Sequence, residues 1–460
     1  MTETVKIISP IDGRVYAERP LASGAEIEAA VARAKHARQI WGEVTVAERA
    51  KFLNHFVDAL LGKNDEIVPE LAWQMGRPVR FGGEKRGVEE RSRHMIAIAE
   101  ESLKPVEKTD KPGFRRMIAR EPLGTVMVIA PWNYPFLTAV NSIVPGLMAG
   151  NAVILKHASQ TLLVGERFAE AMKAAGLPDG LFQNLVMGHA DTENIIASGA
   201  IDHINFTGSV EGGRRIERAA AGTFATLGLE LGGKDPAYVR ADANVAYAAE
   251  NLVDGSFFNS GQSCCGVERI YVHEAVYDQF VPQFIEQARG WKLGNPLEAD
   301  TIVGPMARPQ FADIVRGQTA EALRKGATSH LHWNDSHDKE GSAYLAPEVL
   351  TGVNHQMAVM REESFGPIIG IMKVKDDAEA VTLMNDSPYG LTASVWTEDL
   401  DAAAKLGAKI ETGTVYANRC DYLDPGLVWT GVKETGKGGA LSEIGYANLT
   451  QPKSYHLRQL

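Results

Sequence analysis

The amino-acid sequence predicts an α/β protein with two doubly wound parallel-sheet domains and a small hairpin outside both. Three observations support this fold class. The chain has 460 residues, which is more than one hydrophobic core usually organises. Short apolar runs alternate with helix-length segments, as in parallel sheets covered by helices. A second alternation of the same kind begins near Gly232 and indicates a second domain.

The composition is that of an ordinary folded protein, with 45% hydrophobic and 23% charged residues. The formal net charge of -11 argues against a nucleic-acid partner, because binding to phosphates requires clustered Lys and Arg side chains. A small molecule is the expected partner. The chain has no apolar run of roughly 18 residues, and its start, MTETVKIISPIDGR, lacks a signal-peptide pattern, so we expect no membrane segment.

Three cysteines, Cys264, Cys265 and Cys420, make an odd count that rules out a disulfide framework. Unpaired thiols are typical of a reducing cytoplasm, so we expect a cytoplasmic protein. Two adjacent cysteines have poor spacing for metal ligands, and no metal site is predicted.

The first half of the chain begins with a helical region, residues 24 to 104, in which apolar residues recur every three or four positions. A strand at 125–130, a helix at 136–149 and a strand at 151–156 then follow in the order of a right-handed βαβ unit. Further β-rich runs extend this sheet: FQNLVMG, DHINFTG, TLGLELGG and PAYVR.

The second half carries the strand-like runs ERIYVHE, APEVL, IIGIMKV, TASVWT and GTVYAN, which suit a second sheet. Ligands of open α/β sheets bind beyond the carboxyl ends of the strands and often between domains. We therefore expect the functional site in the crevice between the two halves.

Three segments carry candidate reactive side chains. In FFNSGQSCCGVER (257–269) a cysteine pair follows a glycine, and a buried structural cysteine is the plain alternative to a reactive one. In LELGGK (229–234) Glu230 ends an apolar run, where a carboxylate is costly unless it has a function or a partner such as Lys234. In APWNYPF (130–136) Asn133 is either functional or simply a turn residue.

The cysteine segment resembles the nucleophile signature FxNxGQxC of the aldehyde dehydrogenase superfamily, which is the basis for identifying the family. Its matching residues are Phe257, Asn259, Gly261, Gln262 and Cys264. The other two segments, with EESFGP (362–367) and YGLTASVWT (389–397), occur in the order and spacing of that family, and the resemblance covers essentially the whole chain. It implies NAD(P)-dependent, non-acylating oxidation of an aldehyde to its carboxylic acid.

The resemblance implies a role for each reactive residue. Cys264 would be the nucleophile, and Glu230 the general base that activates both the thiol and a deacylating water, because a free thiol is mostly protonated at neutral pH. The side-chain amide of Asn133, with the backbone N–H of Cys264, would hold the developing oxyanion.

A nicotinamide cofactor is required because no side chain can accept a hydride. The resemblance places the phosphate turn at FTGSVEGG (206–213), where Gly208 and Ser209 precede a helix. The remaining residues that it implies in cofactor binding are Trp132, Lys156, Glu363 and Phe365.

One position departs from the family's pattern for NAD. Members that prefer NAD have a glutamate three positions after the lysine, and Ser159 stands there in this chain. A serine and Lys156 can accept a 2′-phosphate that a carboxylate would repel, so NADP is the expected cofactor and NAD remains possible. His157, where proline is usual, is expected in a loop.

The resemblance places Tyr134 and Asn141 in the substrate pocket. Asn141 cannot form the bidentate carboxylate pair of the arginine found near this position in succinate-semialdehyde members. The pocket is therefore predicted to be somewhat polar and uncharged, with Tyr134 and Phe258 as apolar walls, and the aldehyde is not defined by the sequence.

Two alternative functions stay open: a CoA-acylating semialdehyde dehydrogenase, which the presence of Glu230 disfavours, and a catalytically silent binding protein.

The predicted dinucleotide-binding domain comprises residues 1–104 and 125–231, and the catalytic domain residues 232–432. Residues 105–124 and 433–460 are predicted oligomerisation segments, because family members extend sheets between subunits there, which implies a homodimer or homotetramer.

Overall fold

The structure is a computed structural model, and it describes residues 3–333 and 337–460. Its strands are β1 Thr4–Ile8, β2 Val15–Pro20, β3 Val106–Lys108, β4 Phe114–Pro122, β5 Thr125–Ala130, β6 Ala152–His157, β7 Phe182–Asn184, β8 His203–Thr207, β9 Thr226–Glu230, β10 Asp235–Val239, β11 Val267–His273, β12 Thr328–Ser329, β13 Glu348–Thr351, β14 Ile368–Val374, β15 Thr392–Trp396, β16 Thr414–Ala417, β17 Gly436–Lys437 and β18 Thr450–Arg458.

Its α-helices are α1 Gly24–Gly42, α2 Val46–Leu61, α3 Asn64–Met75, α4 Lys85–Ser102, α5 Pro135–Met148, α6 Leu162–Ala174, α7 His189–Ala197, α8 Val210–Ala220, α9 Val245–Phe257, α10 Glu274–Ala288, α11 Pro309–Arg324, α12 Asp377–Asn385, α13 Leu400–Gly407 and α14 Ser442–Asn448. Within the described ranges, none of these helices is both long enough and apolar enough to cross a membrane.

The first sheet has six strands in the order β17-β9-β8-β5-β6-β7, all parallel except β17. Every residue of β5 and β6 is buried, as expected of central strands covered by helices on both faces. The predicted helical region at 24 to 104 forms α1 to α4, and α1 and α2 each begin with a capping box. The predicted strand, helix and strand that open this sheet are present as β5, α5 and β6.

The second sheet has seven strands in the order β12-β13-β14-β11-β10-β15-β16. One strand was assigned to the wrong sheet: the run PAYVR forms β10, which lies between β11 and β15 in this second sheet. The reason is that the chain leaves the first sheet directly after Glu230, so that Ala237 and Val239 pack in the core of the other sheet. An apolar run shows that a strand is buried, but not which neighbours cover it.

A third sheet of three strands, β18-β4-β3, lies outside both large sheets. β4 and β18 pair antiparallel over their full length, from Thr450 opposite Pro122 to Arg458 opposite Phe114. The predicted oligomerisation segment 433–460 consists of two parts that pack in different places. Its part up to Leu449 packs in the core of the first sheet, where Tyr446 is fully buried and donates its hydroxyl to Met95. Only β18 belongs to the third sheet.

Candidate active site

Two cavities meet at Cys264. One, of about 360 Å³, lies beside the carboxyl ends of β5, β8 and β9, and the other, of about 700 Å³, lies between α4, α5 and the segment around residue 421. Among the described residues, Cys264 and Glu230 are the two side chains that line both cavities. Volumes of this size suit small-molecule ligands. The sequence-predicted nucleophile and base therefore stand where two separate ligands would meet.

The turn before Cys264 has an unusual backbone. Asn259, Ser260 and Gly261 all have positive φ angles, of 55°, 57° and 68°. A side chain at Gly261 would place its Cβ 2.3 Å from the carbonyl oxygen of Gly366, so only glycine fits. The side chain of Gln262 spans this turn: its Nε2 donates to the Asn259 carbonyl at 3.1 Å, and its Oε1 accepts from the Ala307 amide at 2.8 Å. The signature residues thus hold the loop that presents the thiol.

Asn133 lies beside that loop at the end of β5. It is buried, and its Nδ2 donates to the Gln262 carbonyl at 3.3 Å. Its own carbonyl accepts from Arg77 at 2.6 Å and from Asn259 Nδ2 at 3.1 Å. Asn133 is therefore fixed to the cysteine loop through both its side chain and its backbone.

Arg77 is a supporting residue that the sequence did not reveal. Its guanidinium forms an ion pair with Glu84, and both side chains are buried, at 4% and 2% exposure. The second carboxylate oxygen of Glu84 accepts from the amides of Phe136 and Leu137 at 3.0 and 2.7 Å, which caps the N-terminus of α5. No motif contains either residue, so only the three-dimensional contact identifies the pair.

Glu230 ends β9 at the junction of the two cavities. Burial raises the pKa of its carboxyl to about 7, opposed by a long hydrogen bond of 3.4 Å from Thr207 and by the nearby charge of Arg91. The structural ion pair with Lys234 does not form, because Lys234 is bound instead to Glu268 at 2.7 Å and to Ser364 at 3.0 Å. A carboxyl with this pKa can accept a proton at neutral pH.

The smaller cavity has an aromatic wall. The ring of Trp132 lies edge-on to Phe365, with centroids 5.6 Å apart, and stacks on Phe311 at 5.4 Å. Phe311 on α11 was missed by the sequence analysis, because the sequence spacing gives no sign that α11 reaches the first sheet. The three rings form an apolar wall near Cys264, with Trp132 and Phe311 nearly parallel and Phe365 at an angle to them, which suits a planar heteroaromatic ring.

Polar groups line the other side of this cavity. Glu363 accepts from the Gly233 amide at 2.9 Å through one carboxylate oxygen, and burial raises the pKa of its carboxyl to about 7. Gly208 and Ser209 stand at the start of α8, where Ser209 Oγ accepts from the Gly212 amide at 3.1 Å. The N-terminus of α8 therefore faces the cavity, which favours bound phosphate.

Lys156 and Ser159 lie further along the carboxyl edge of the first sheet, outside the lining of the cavity at Cys264. Lys156 is buried, burial lowers the pKa of its amine, and no hydrogen bond or ion pair joins that amine to another described residue.

The expectation of a loop at His157 was wrong. This residue ends β6 and is buried against the Pro135 carbonyl, 3.2 Å from its Nε2.

Tyr134, Asn141 and Phe258, which the sequence analysis placed in the substrate pocket, line the larger cavity. The prediction of an uncharged pocket was wrong, because six charged side chains also line it: Arg86, Glu90, Arg91, Asp254, Arg419 and Asp421. Arg86, Glu90 and Arg91 lie on α4, Asp254 lies on α9, and Arg419 and Asp421 lie on the segment that follows β16. The sequence analysis assigned none of them to the pocket. Helical periodicity identified the buried face of α4, but not that an arginine on it faces a cavity.

Cys265 differs from its neighbour. Its thiol donates to Asp421 Oδ1 at 2.9 Å, and Asp421 also accepts from Ser263 Oγ at 3.0 Å. A hydrogen bond with Cys264 and burial raise the pKa of the Cys265 thiol well above its usual range. Cys265 is therefore held as a protonated, packed side chain, which leaves Cys264 as the reactive candidate of the pair.

Comparison with known proteins shows similarity along the whole chain. The sequence profile of the aldehyde dehydrogenase family matches residues 1–455. A 4,4'-diapolycopene aldehyde oxidase from Methylomonas sp is 34% identical over 98% of this chain and 85% of its own length. A succinate-semialdehyde dehydrogenase (NADP(+)) from Deinococcus radiodurans is 31% identical over 97% of this chain and 93% of its own.

Solved structures are similar in fold over the same extent. The NADP-dependent glyceraldehyde-3-phosphate dehydrogenase from Bacillus halodurans C-125, complexed with NADP, is 32% identical, with a TM-score of 0.94 over 100% of this chain and 96% of its own. An NAD-dependent aldehyde dehydrogenase from Sinorhizobium meliloti is 30% identical, with a TM-score of 0.93 over 99% and 92% of the two chains. Similar folds thus occur in proteins named for either nucleotide.

Proposed function

Since the chain belongs to the aldehyde dehydrogenase family and is an oxidoreductase that oxidises aldehydes with a pyridine nucleotide, we propose that Cys264 performs this oxidation as a covalent nucleophile. The observation that carries the proposal is the position of Cys264 and Glu230 on both cavities. An aldehyde in the larger cavity and a nicotinamide in the smaller one would approach the thiol from opposite sides.

The first step is addition of the thiol to the aldehyde carbon. The Cys264 sulfur forms a bond to that carbon, and Glu230 takes the thiol proton, directly or through one water. The carbonyl electron pair moves to oxygen, where the Asn133 amide and the Cys264 backbone N–H stabilise the negative charge of the hemithioacetal.

The cofactor fits the smaller cavity by its chemistry. The aromatic surface of Trp132 and Phe365 suits the nicotinamide ring, the buried Glu363 carboxylate suits ribose hydroxyls, and the N-terminus of α8 suits the pyrophosphate. When bound, the nucleotide accepts the hydride that leaves the hemithioacetal carbon, and a thioester on Cys264 results. Glu230 first releases the thiol proton to solvent and then takes a proton from a water that attacks the thioester. It returns this proton to the departing Cys264 sulfur, so that the acid and the thiol are released.

The experiment that tests the nucleophile is substitution of Cys264 by alanine. We expect kcat/KM to fall by roughly 10⁴-fold or more, because the other residues act through the covalent intermediate. Cys420→Ala is the matched control: this thiol packs against the core of the second sheet and does not line either cavity, and its loss leaves kcat/KM within a few fold. Full dehydrogenase activity in Cys264→Ala would disprove the assignment.

Hydrolysis, rather than transfer to CoA, is supported by the position of Glu230. A carboxyl with a pKa near 7 beside the thiol activates water, which would waste a thioester that waits for CoA. We expect carboxylic acid and reduced nucleotide to form in equal amounts without CoA. Acid formation that depends on added CoA would favour the acylating alternative.

We also infer that NADP is the preferred nucleotide. Lys156 has an amine that no hydrogen bond or ion pair joins to another described residue, Ser159 stands where a glutamate would repel a 2′-phosphate, and the charges of Lys156 and Arg215 both act on the nearby His189. We expect a higher kcat/KM for NADP than for NAD, and a loss of roughly tenfold or more for NADP in Ser159→Glu. A wild-type kcat/KM for NAD well above that for NADP contradicts this inference.

The third sheet supports a homodimer or homotetramer. β18 is an edge strand of nine residues whose backbone groups are free on one side, and Leu457 on it is 48% exposed. Long edge strands of this kind pair readily with another chain. We expect light scattering to give a dimer or tetramer mass for the full chain, and a smaller mass after deletion of residues 450–460. A monomeric full-length protein would count against this proposal.

A cytoplasmic location is supported by the three cysteines, which are all free thiols. Adjacent thiols at a reactive site persist best where the surroundings are reducing. Fractionation of cells that express the tagged protein tests this location, and recovery outside the cytoplasm would contradict it.

A further inference from the structure

Arg91 is a buried charge that the mechanism above does not use. It lies on α4, is 9% exposed and lines the larger cavity. Its Nη1 donates to the Leu137 carbonyl at 3.2 Å and to Asn141 Oδ1 at 3.5 Å. Among the described residues, no carboxylate forms a salt bridge with Arg91, and Glu84 and Glu230 act on its guanidinium only through space. An unpaired guanidinium away from water costs several kcal/mol, so such groups usually have a partner.

Two neutral donors on the same cavity also lack strong partners. Among the described residues, the buried Nδ2 of Asn141 has no hydrogen-bond partner, and the buried hydroxyl of Tyr134 makes at most a weak contact with Ser263. Tyr134 directly precedes α5 and Asn141 lies in the middle of that helix, and both residues line the larger cavity. Buried polar groups in folded proteins are normally satisfied, so these donors indicate an acceptor that the protein itself does not supply.

The packing of α4 on α5 brings the three donors to one wall. At Gly87 an added Cβ would lie 2.6 Å from the Leu137 Cδ2, so the two helices are closely packed here and a larger residue would have to displace the Leu137 side chain. Arg91 follows Gly87 by one helical turn, which sets its guanidinium against the α5 residues. The wall therefore presents one charged and two neutral donors.

We propose that the substrate aldehyde carries a distal anionic group, a carboxylate or a phosphate, that binds Arg91 with Tyr134 and Asn141. This inference rests on the proposed function, since it requires the aldehyde carbon to be at Cys264. Arginine suits the role because its planar fork can donate two parallel hydrogen bonds to one anion.

Among the described residues, four acidic side chains line the cavity and none forms a salt bridge with Arg91; one of them, Glu230, acts on the guanidinium only through space. Asp421 accepts from Ser263 and Cys265, burial raises the pKa of the Asp421 carboxyl, and burial raises that of Asp254 to about 6. Glu90, which is exposed, accepts from the Tyr422 hydroxyl at 2.6 Å. The guanidinium of Arg91 thus stays available to a ligand.

The test compares matched pairs of aldehydes: succinate semialdehyde with butanal, 4-formylbenzoate with benzaldehyde, and glyceraldehyde 3-phosphate with glyceraldehyde. We expect the wild type to prefer the anionic member of at least one pair by roughly tenfold or more in kcat/KM. A preference for a carboxylate aldehyde, or for glyceraldehyde 3-phosphate, shows which of the two anions the site binds. Arg91→Met should lower kcat/KM for that anionic aldehyde by roughly 10²-fold, mainly through a higher KM. It should lower kcat/KM for the neutral member of the pair by less than about threefold.

Two further variants separate recognition from folding. Arg91→Lys keeps the charge and should recover part of the loss. Arg93→Met is the matched control on the same helix, because Arg93 is bound to Asp58 and Glu89 at the surface, and it should change neither member of a pair.

Several outcomes overturn the inference while leaving the proposed function intact. One is a wild type that oxidises neutral members as well as, or better than, their anionic partners. Another is an equal loss for both members in Arg91→Met, which would mean that Arg91 acts on Cys264 and Glu230 through its charge. A wild type inactive on all six aldehydes with either nucleotide would overturn both this inference and the proposed function.

Discussion

Burial makes the Glu230 carboxyl a stronger base than an exposed glutamate. A carboxyl at its ordinary pKa of about 4.3 would be a poor base at neutral pH, and the buried environment raises the pKa of Glu230 to about 7. The base must be ionised to take a proton, so its active form is lost as the pH falls through that value.

We therefore expect kcat to rise with pH and to level off above an apparent pKa of about 7, the value to which burial raises the Glu230 carboxyl. Glu230→Gln should lose this dependence together with most of the rate, because an amide cannot accept the proton. The measurement is a kcat profile under saturating substrates, with circular dichroism to check folding at each pH. If kcat of Glu230→Gln still rises with pH as in the wild type, the titration belongs to another group.

Among the elements, the two-residue strand β17 matters more than its length suggests. Gly436 pairs with Glu230, and the neighbouring Thr435 is fully buried. Thr435 Oγ1 donates to the Gly232 carbonyl at 2.8 Å and accepts from the Gly390 amide at 3.0 Å, and its carbonyl accepts from the Leu231 amide at 2.9 Å. One side chain thus ties the end of the first sheet to the second.

Thr435→Val tests this tie because it keeps the shape of the side chain and removes its hydroxyl. Two buried backbone groups would lose their partner, which should lower the free energy of unfolding by about 1 to 3 kcal/mol. We also expect kcat to fall, since the segment that carries Glu230 would be held less firmly. Urea unfolding and steady-state rates measure the two effects, and Thr430→Val, at a partly exposed hydroxyl, is the control. An unchanged stability would show that Thr435 does not join the sheets.

The sequence predicted best those elements whose signal is local. β5, α5 and β6 follow from continuous apolar runs of the right lengths. The cysteine loop follows from a signature in which the Asn259 and Gln262 side chains make hydrogen bonds and Gly261 allows a close backbone approach. Partners distant in the chain could not be predicted in this way. Arg77 meets Asn259 across 182 positions, and the charged wall around Arg91 depends on how α4 packs against α5.

On the scale of the whole molecule, Arg77 joins the two halves of the site. Its Nε donates to Asn259 Oδ1 at 3.2 Å in the cysteine loop, while its other nitrogens bind Asn133 and Glu84 in the first domain. Next to it, Gly76 lies so close to Pro305 that a Cβ would be 2.2 Å from the Pro305 carbonyl oxygen. The halves are therefore expected to unfold together.

Arg77→Met should lower the free energy of unfolding by about 3 to 5 kcal/mol, because it leaves the Glu84 carboxylate buried without its partner. Differential scanning calorimetry should show one transition in the wild type and a lower transition temperature in the variant. The control is Arg218→Ala, since its ion pair with Glu211 is exposed on both sides and such pairs contribute about 0 to 1 kcal/mol. Equal small effects in both variants would show that the buried pair does not stabilise the fold.

The pairing of β17 with β9 also bears on how the protein is made. A ribosome releases the chain from its N-terminus, so residues 125–230 emerge long before Gly436 and Lys437. During most of synthesis β9 is an unpaired edge strand, open to association with other nascent chains. The strand that fixes Glu230 is thus completed only when translation is almost over, and a truncated chain would lack an ordered site while remaining a target for chaperones and proteases.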